Sequence, residues 1–177
     1  MTRAGVAVLS FLLGLLVLPL AVYLYFALGR APAAVSDQPF PFEDRLVGLA
    51  LDARIRREMP AKTPIEPTDE NLNAGAQIYE DKCEECHGVA GESSAVGNAM
   101  FPRAPQLFAK TGTGAVGVSG DPASETYWKI RNGIRLTGMP SYAQTLTETQ
   151  IWQVTLLLSR ADKPLPDEAA KTVGLRR

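Results

Sequence analysis

Residues 75 to 87 read GAQIYEDKCEECH, a stretch that holds both cysteines and the only histidine of the 177-residue chain, Cys83, Cys86 and His87. On a helix, two thiols three positions apart lie about one turn from each other, and the imidazole follows directly. A structural zinc site needs four ligands, usually as two such pairs, and no second pair exists. A thioredoxin-like redox pair belongs in a β-α-β setting. Here helical sequence runs into the motif, and a loop rich in Gly, Ala, Pro and Ser follows it. A plain disulfide suits an oxidising compartment but leaves the histidine and a later methionine without a role.

Cys-x-x-Cys-His is the attachment signature of a c-type haem. Its spacing lets two thiols add to the two vinyl groups on one edge of a porphyrin, with the neighbouring imidazole held under the iron. His87 being the only histidine, methionine is the remaining conventional choice for the second axial ligand. Met1 and Met59 lie outside the domain that carries the motif, which leaves Met100 and Met139. Buried methionines often only fill core space. Met139 is favoured because Gly138-Met139-Pro140 sits in a short loop between two helices, where proline restricts the backbone and glycine permits close approach. Met100, in GNAMFP, is the alternative.

Outward from the motif, the N-terminal run from Ala4 to Gly29 carries no charge and is long enough to cross a hydrocarbon core. A secretory signal has an apolar core of only about 7–15 residues, so the reading is an uncleaved transmembrane anchor, residues 1–30. Pro19 is tolerated in such a helix, and Tyr23 and Tyr25 suit the headgroup zone. Arg3 and Arg30 flank the span evenly and choose no orientation. Residues 31–70 read as a connector: a Pro/Ala-rich start, a short helix, and the acidic, proline-punctuated AKTPIEPTDE. In the helix, Val47, Leu51, Ile55 and Met59 form a stripe with Arg54, Arg56 and Arg57 beside it. The stripe packs either on the chain's own domain or on a membrane or partner surface. Residues 71–164 read as a small all-α domain. Asn71 is the expected N-cap of a helix over 72–82, and Ser124 that of a helix ending at Gly133. Thr147 and Gln150 form a capping box for the last helix. Residues 165–177 read as a polar, mobile C-terminal tail.

The stretch from Asn71 to Asp162 resembles the class I cytochromes c. That family's first helix reads G-x-x-x-aromatic-x-x-x-C-x-x-C-H, and Gly75, Tyr79, Cys83, Cys86 and His87 fall on it in register. The resemblance implies that the glycine and aromatic let the first helix cross the last one closely, near Trp152 and Leu156. It further implies that Pro105, in Pro105-Gln106-Leu107, offers its carbonyl to the proximal imidazole. The run Asn132 to Pro140 resembles the family's approach to its ligand methionine and so favours Met139. The loop from Phe108 to Trp128 is longer than a minimal member needs. Partners for the haem propionates are unassigned, with Trp128, Arg131 and Arg135 as possibilities beside surface or core roles.

The expected chemistry is therefore one-electron transfer by one covalent haem c, with His87 and Met139 as metal ligands and no catalytic residue or small-molecule substrate. Near-neutral charge, 18 Lys+Arg against 19 Asp+Glu with no basic patch, excludes a nucleic-acid partner. Haem attachment takes place outside the bacterial cytoplasm, which places the domain in the periplasm and the anchor as a single pass through the inner membrane. Two function classes fit: a tethered carrier serving redox partner proteins, and a fixed cytochrome subunit of a membrane oxidoreductase complex. A haem sensor or peroxidase-like enzyme would need distal acid–base groups that the sequence does not supply.

Overall fold

The computed structural model describes residues 2–112 and 114–175. Among them the fold is all-helical, with isolated bridges at Val89–Glu92 and Lys110–Val116 in place of strands. The chain divides into two units, residues 1–43 and 44–177.

The first unit is helix α1, Arg3–Ala27, followed by turns. Thr2 caps it by accepting from the Gly5 amide at 3.3 Å. Twenty-five residues at 1.5 Å each make about 38 Å, enough to cross a bilayer core of about 30 Å. None of its side chains is buried, as expected of a helix whose apolar surface faces lipid rather than protein.

The second unit begins with α2, Glu43–Glu58, and continues with α3, Asp69–Lys82, and α4, Glu84–His87. Next come α5, Ala95–Asn98, α6, Ala123–Asn132, α7, Glu148–Ser159, and α8, Asp167–Thr172. Thr68, not Asn71, caps α3, its hydroxyl accepting from the Asn71 amide at 3.3 Å. Asn71 instead donates to the Glu66 carbonyl (2.9 Å) and accepts from Gln153 Nε2 (3.1 Å), which ties α3 to α7. Ser124 is likewise inside its helix rather than at the cap, since Pro122 already turns the chain into α6. The capping box of α7 is present, and its loss by Thr147→Ala would cost about 1 kcal/mol.

Helix α7 is the centre of the core. Its Ile151, Val154, Leu157 and Leu158 are buried between α3 and α6. The α3–α7 crossing depends on Gly75, where a Cβ would lie 2.8 Å from the Gln153 carbonyl carbon and 3.2 Å from Leu157 Cβ. The contact is thus with Gln153 and Leu157, one position on from the expected Trp152 and Leu156. Trp152 instead stacks on Tyr127 of α6, ring centroids 4.1 Å apart. Helix backbones meeting this closely cannot yield by a side-chain rotation. Gly75→Val is expected to destabilise the domain by about 3 kcal/mol, readable as an earlier midpoint in denaturant unfolding followed by circular dichroism.

The C-terminal segment is not a mobile tail. Helix α8 packs against α3 with Ala169, Ala170 and Val173 buried, and Asn73 Oδ1 accepts from the Ala169 amide at 3.0 Å. Two alanines and a valine bury little area each. They dock because α3 supplies both an apolar groove and a side-chain cap for the helix end.

Candidate functional site

Cys83 ends α3 and its carbonyl starts α4, accepting from the amides of Cys86 (3.1 Å) and His87 (2.8 Å). This turn brings the three side chains to the wall of one cleft of about 220 Å³. The opposite wall comes from the 134–142 segment, and Leu107, Ile130 and Leu158 make its apolar lining. Both cysteines are free thiols. Burial pushes the Cys83 thiol up to about 12, with the nearby Cys86 adding to the rise, so it is held neutral.

His87 Nδ1 lies 2.7 Å from the Pro105 carbonyl oxygen. A carbonyl can only accept, so Nδ1 carries the proton and donates it, and Nε2 keeps a free lone pair. Burial lowers the His87 pKa while the Pro105 contact opposes the shift, and the net effect favours the neutral ring. A neutral imidazole with Nδ1 engaged is the form that binds a metal through Nε2.

Below the motif, Tyr79 is fully buried, donates to the Gly88 carbonyl at 2.7 Å and meets Phe108 edge-on at 5.1 Å. That bond closes the loop leaving His87 and holds α4 against α3. Tyr142 does the same for the facing segment, donating to the Lys82 carbonyl at 2.6 Å.

Met139 and Met100 both line the cleft. The backbone of Met139 is held from two sides. The Thr137 hydroxyl donates to the Ile134 carbonyl (2.7 Å) and accepts from the Met139 amide (3.1 Å), while the Met139 carbonyl accepts from Ile134 (3.2 Å). Gly133 makes room for this turn. Its φ of +69° and ψ of −178° suit only glycine, and a Cβ there would lie 2.7 Å from Pro140 and Ser141 backbone atoms. The sulfur of Met100 lies against Gly138, where a Cβ would come within 2.7 Å of it.

The five residues singled out in the sequence, Cys83, Cys86, His87, Pro105 and Met139, thus share one cleft, together with the alternative Met100. The possibilities raised for the propionates do not line it. Trp128 donates its indole N–H to Glu58 at 3.3 Å, and Arg131 pairs with Glu148 at 3.0 Å. The charged residues on the cleft wall are Lys82, Arg103 and Lys129. Reading the sequence alone also passed over Thr137, whose position two residues before a methionine is the one available signal of a hydroxyl-closed turn.

Residues 70–157 match a family model described as cytochrome c oxidase, cbb3-type, subunit III. No curated protein matches. Among solved structures, a chain of the Kuenenia stuttgartiensis reducing HAO-like protein complex aligns at 25% identity with a TM-score of 0.46. The alignment covers 55% of this chain and 46% of that one, so the chain spans less than half the length of that relative. The family cofactor is haem c, and the donor set fits it: two free thiols, an imidazole with its coordinating nitrogen unprotonated, and thioethers in an apolar cleft. On the all-helical fold, the family match and this donor set together, the chain is a c-type cytochrome, an electron-transfer protein.

Proposed function

We propose that the chain carries one haem c, bound covalently through Cys83 and Cys86 with His87 and Met139 as axial ligands, and passes single electrons at the periplasmic face of a bacterial inner membrane. The observation that carries this reading is the gathering of these four side chains around one cleft, from segments more than 50 residues apart in sequence. When bound, the iron supplies reversible one-electron chemistry between its ferrous and ferric states.

The protein's part is binding, orientation and control of potential. The Pro105 carbonyl fixes the His87 ring plane and raises the basicity of Nε2. Thr137 and Gly133 hold the Met139 backbone, so its thioether is presented without a large loss of loop entropy on binding. Leu107, Ile130 and Leu158 exclude water, which disfavours the more highly charged ferric state and, with methionine ligation, raises the potential. No catalytic residue is assigned. Helix α1 serves as a single-pass anchor, its length and lack of charge from Ala4 to Gly29 supporting that role.

A fixed subunit of a membrane oxidoreductase complex is the second reading, favoured by the oxidase-subunit description of the matching family. Both readings predict a haem-stained band that survives denaturing electrophoresis, with one haem per chain by pyridine haemochrome assay. Loss of stain on denaturation overturns covalent attachment. A haem-stained native gel of gently solubilised membranes, with mass spectrometry of co-migrating proteins, separates the two. A band at the size of one chain supports the tethered carrier, and co-migration with a large assembly supports the fixed subunit.

A further inference from the structure

Helix α2 has two unlike faces. One, formed by Gly48, Leu51, Ile55 and Met59, is covered wholly or in part, with Ile55 only 2% exposed. Beside it, Glu58 accepts from the indole of Trp128 at 3.3 Å, a bond that reaches 70 residues along the chain. The expected stripe therefore lies on the chain's own domain, except that Val47 at its edge is 38% exposed.

The other face carries a second stripe that the sequence analysis did not single out. Leu46, Leu49, Ala50 and Ala53 recur at i, i+3, i+4 and i+7, and all are exposed, Leu46 at 65% and Leu49 at 58%. At 3.6 residues per turn, Arg45, Arg56 and Arg57 fall with them inside an arc of about 140°. The four acidic residues of the helix, Glu43, Asp44, Asp52 and Glu58, all fall outside that arc.

We propose that this outward face of α2 rests in the headgroup region of an anionic lipid leaflet. The inference relies on the reading of α1 as a membrane anchor. Fifteen residues, Leu28 to Phe42, separate the two helices, a span of at most about 50 Å, so α2 stays within reach of the leaflet that α1 leaves. The chemistry of the face suits that surface. Guanidinium groups pair with lipid phosphates, and a shallow leucine and alanine stripe between them matches the depth of the headgroup and acyl boundary. A protein partner is less well matched, because the stripe contains no aromatic side chain to anchor an interface. Since Ile55 and Glu58 fix α2 to the haem-binding unit, a lipid-bound α2 would hold the cleft at a set orientation to the membrane.

The test is hydrogen exchange of the full-length holoprotein in lipid nanodiscs, read on peptides covering residues 45–54. Discs containing phosphatidylglycerol are expected to slow exchange of these amides at least tenfold relative to discs of phosphatidylcholine alone. Leu46→Ser with Leu49→Ser should abolish the slowing. Arg56→Gln with Arg57→Gln should remove its dependence on lipid charge, while peptides from α7 report that the domain remains folded. Equal exchange in the two kinds of disc overturns the proposal. So does slowing that appears only in native membranes with a co-purifying protein, which would make the face a protein interface. A chain that enters discs yet leaves α2 unprotected removes the lipid contact alone. A chain that fails to enter discs removes the anchor reading and this inference with it.

Discussion

A chain with Cys83→Ala and Cys86→Ala is expected to lose haem stain completely on a denaturing gel, and to accumulate at a small fraction of the wild-type level. The first effect follows from the chemistry, since these are the only two thiols in the sequence and no other side chain can form the thioether links. The second follows from the fold. Leu107, Ile130 and Leu158 line the cleft, and without a bound group their apolar surface faces water. At about 25 cal/mol per Å2 of apolar surface left exposed, a haem-sized loss approaches the whole stability of a small domain. Single replacements separate the two contributions. Cys83→Ala or Cys86→Ala should each leave one thioether, a haem stain of reduced intensity and a shifted absorption spectrum. A denaturation-resistant haem band in the double variant would overturn covalent attachment at this motif.

Met139→Ala is expected to leave haem covalently attached while altering the iron's ligand field. The thioether-to-ferric charge-transfer band at the red end of the visible spectrum should disappear. The midpoint potential should fall on the order of 100 mV, a modest part of the roughly 0.8 V range that axial ligands control. Met100→Ala is the matched comparison. Its sulfur lines the same cleft but rests against Gly138, and its own segment lacks the two-sided backbone support that Thr137 and Gly133 give Met139. That variant should keep the charge-transfer band and nearly the wild-type potential. If the two variants exchange these outcomes, the ligand is Met100 and the held loop at 133–140 serves packing instead. Thr137→Val offers a finer reading of the same idea. It removes the hydroxyl that closes the turn and should weaken Met139 ligation without removing it, seen as displacement by added imidazole at a several-fold lower concentration.

The parts of this protein that were legible in its sequence are those where a few covalently adjacent residues carry the physics. The run Cys83 to His87 is one, because thiol spacing and the neighbouring imidazole are set within a single helical turn. The uncharged stretch from Ala4 to Gly29 is another, because crossing a bilayer is a matter of length and polarity alone. Gly75 and Tyr79 were legible through their register with the motif, and the Thr147–Gln150 capping box through its local hydrogen bonds.

What depended on distant partners was not legible. The C-terminal segment has the composition of a solvated tail, yet it forms α8 because Asn73 and the groove of α3 receive it. Trp128 and Arg131 suggested propionate ligands by type, but Glu58 and Glu148 hold them elsewhere. The periodicity of α2 showed one apolar stripe. Which of its faces is covered was decided by Ile55 and by a bond between Glu58 and Trp128. By itself, then, the sequence determined the chemistry that the chain can bear and the length of its apolar anchor, since both are properties of contiguous residues. Only the tertiary structure decided which methionine backbone is held rigid, which charges face the cleft and which surface of α2 is left open. Those outcomes depend on contacts between residues far apart along the chain, and local spacing carries no record of them.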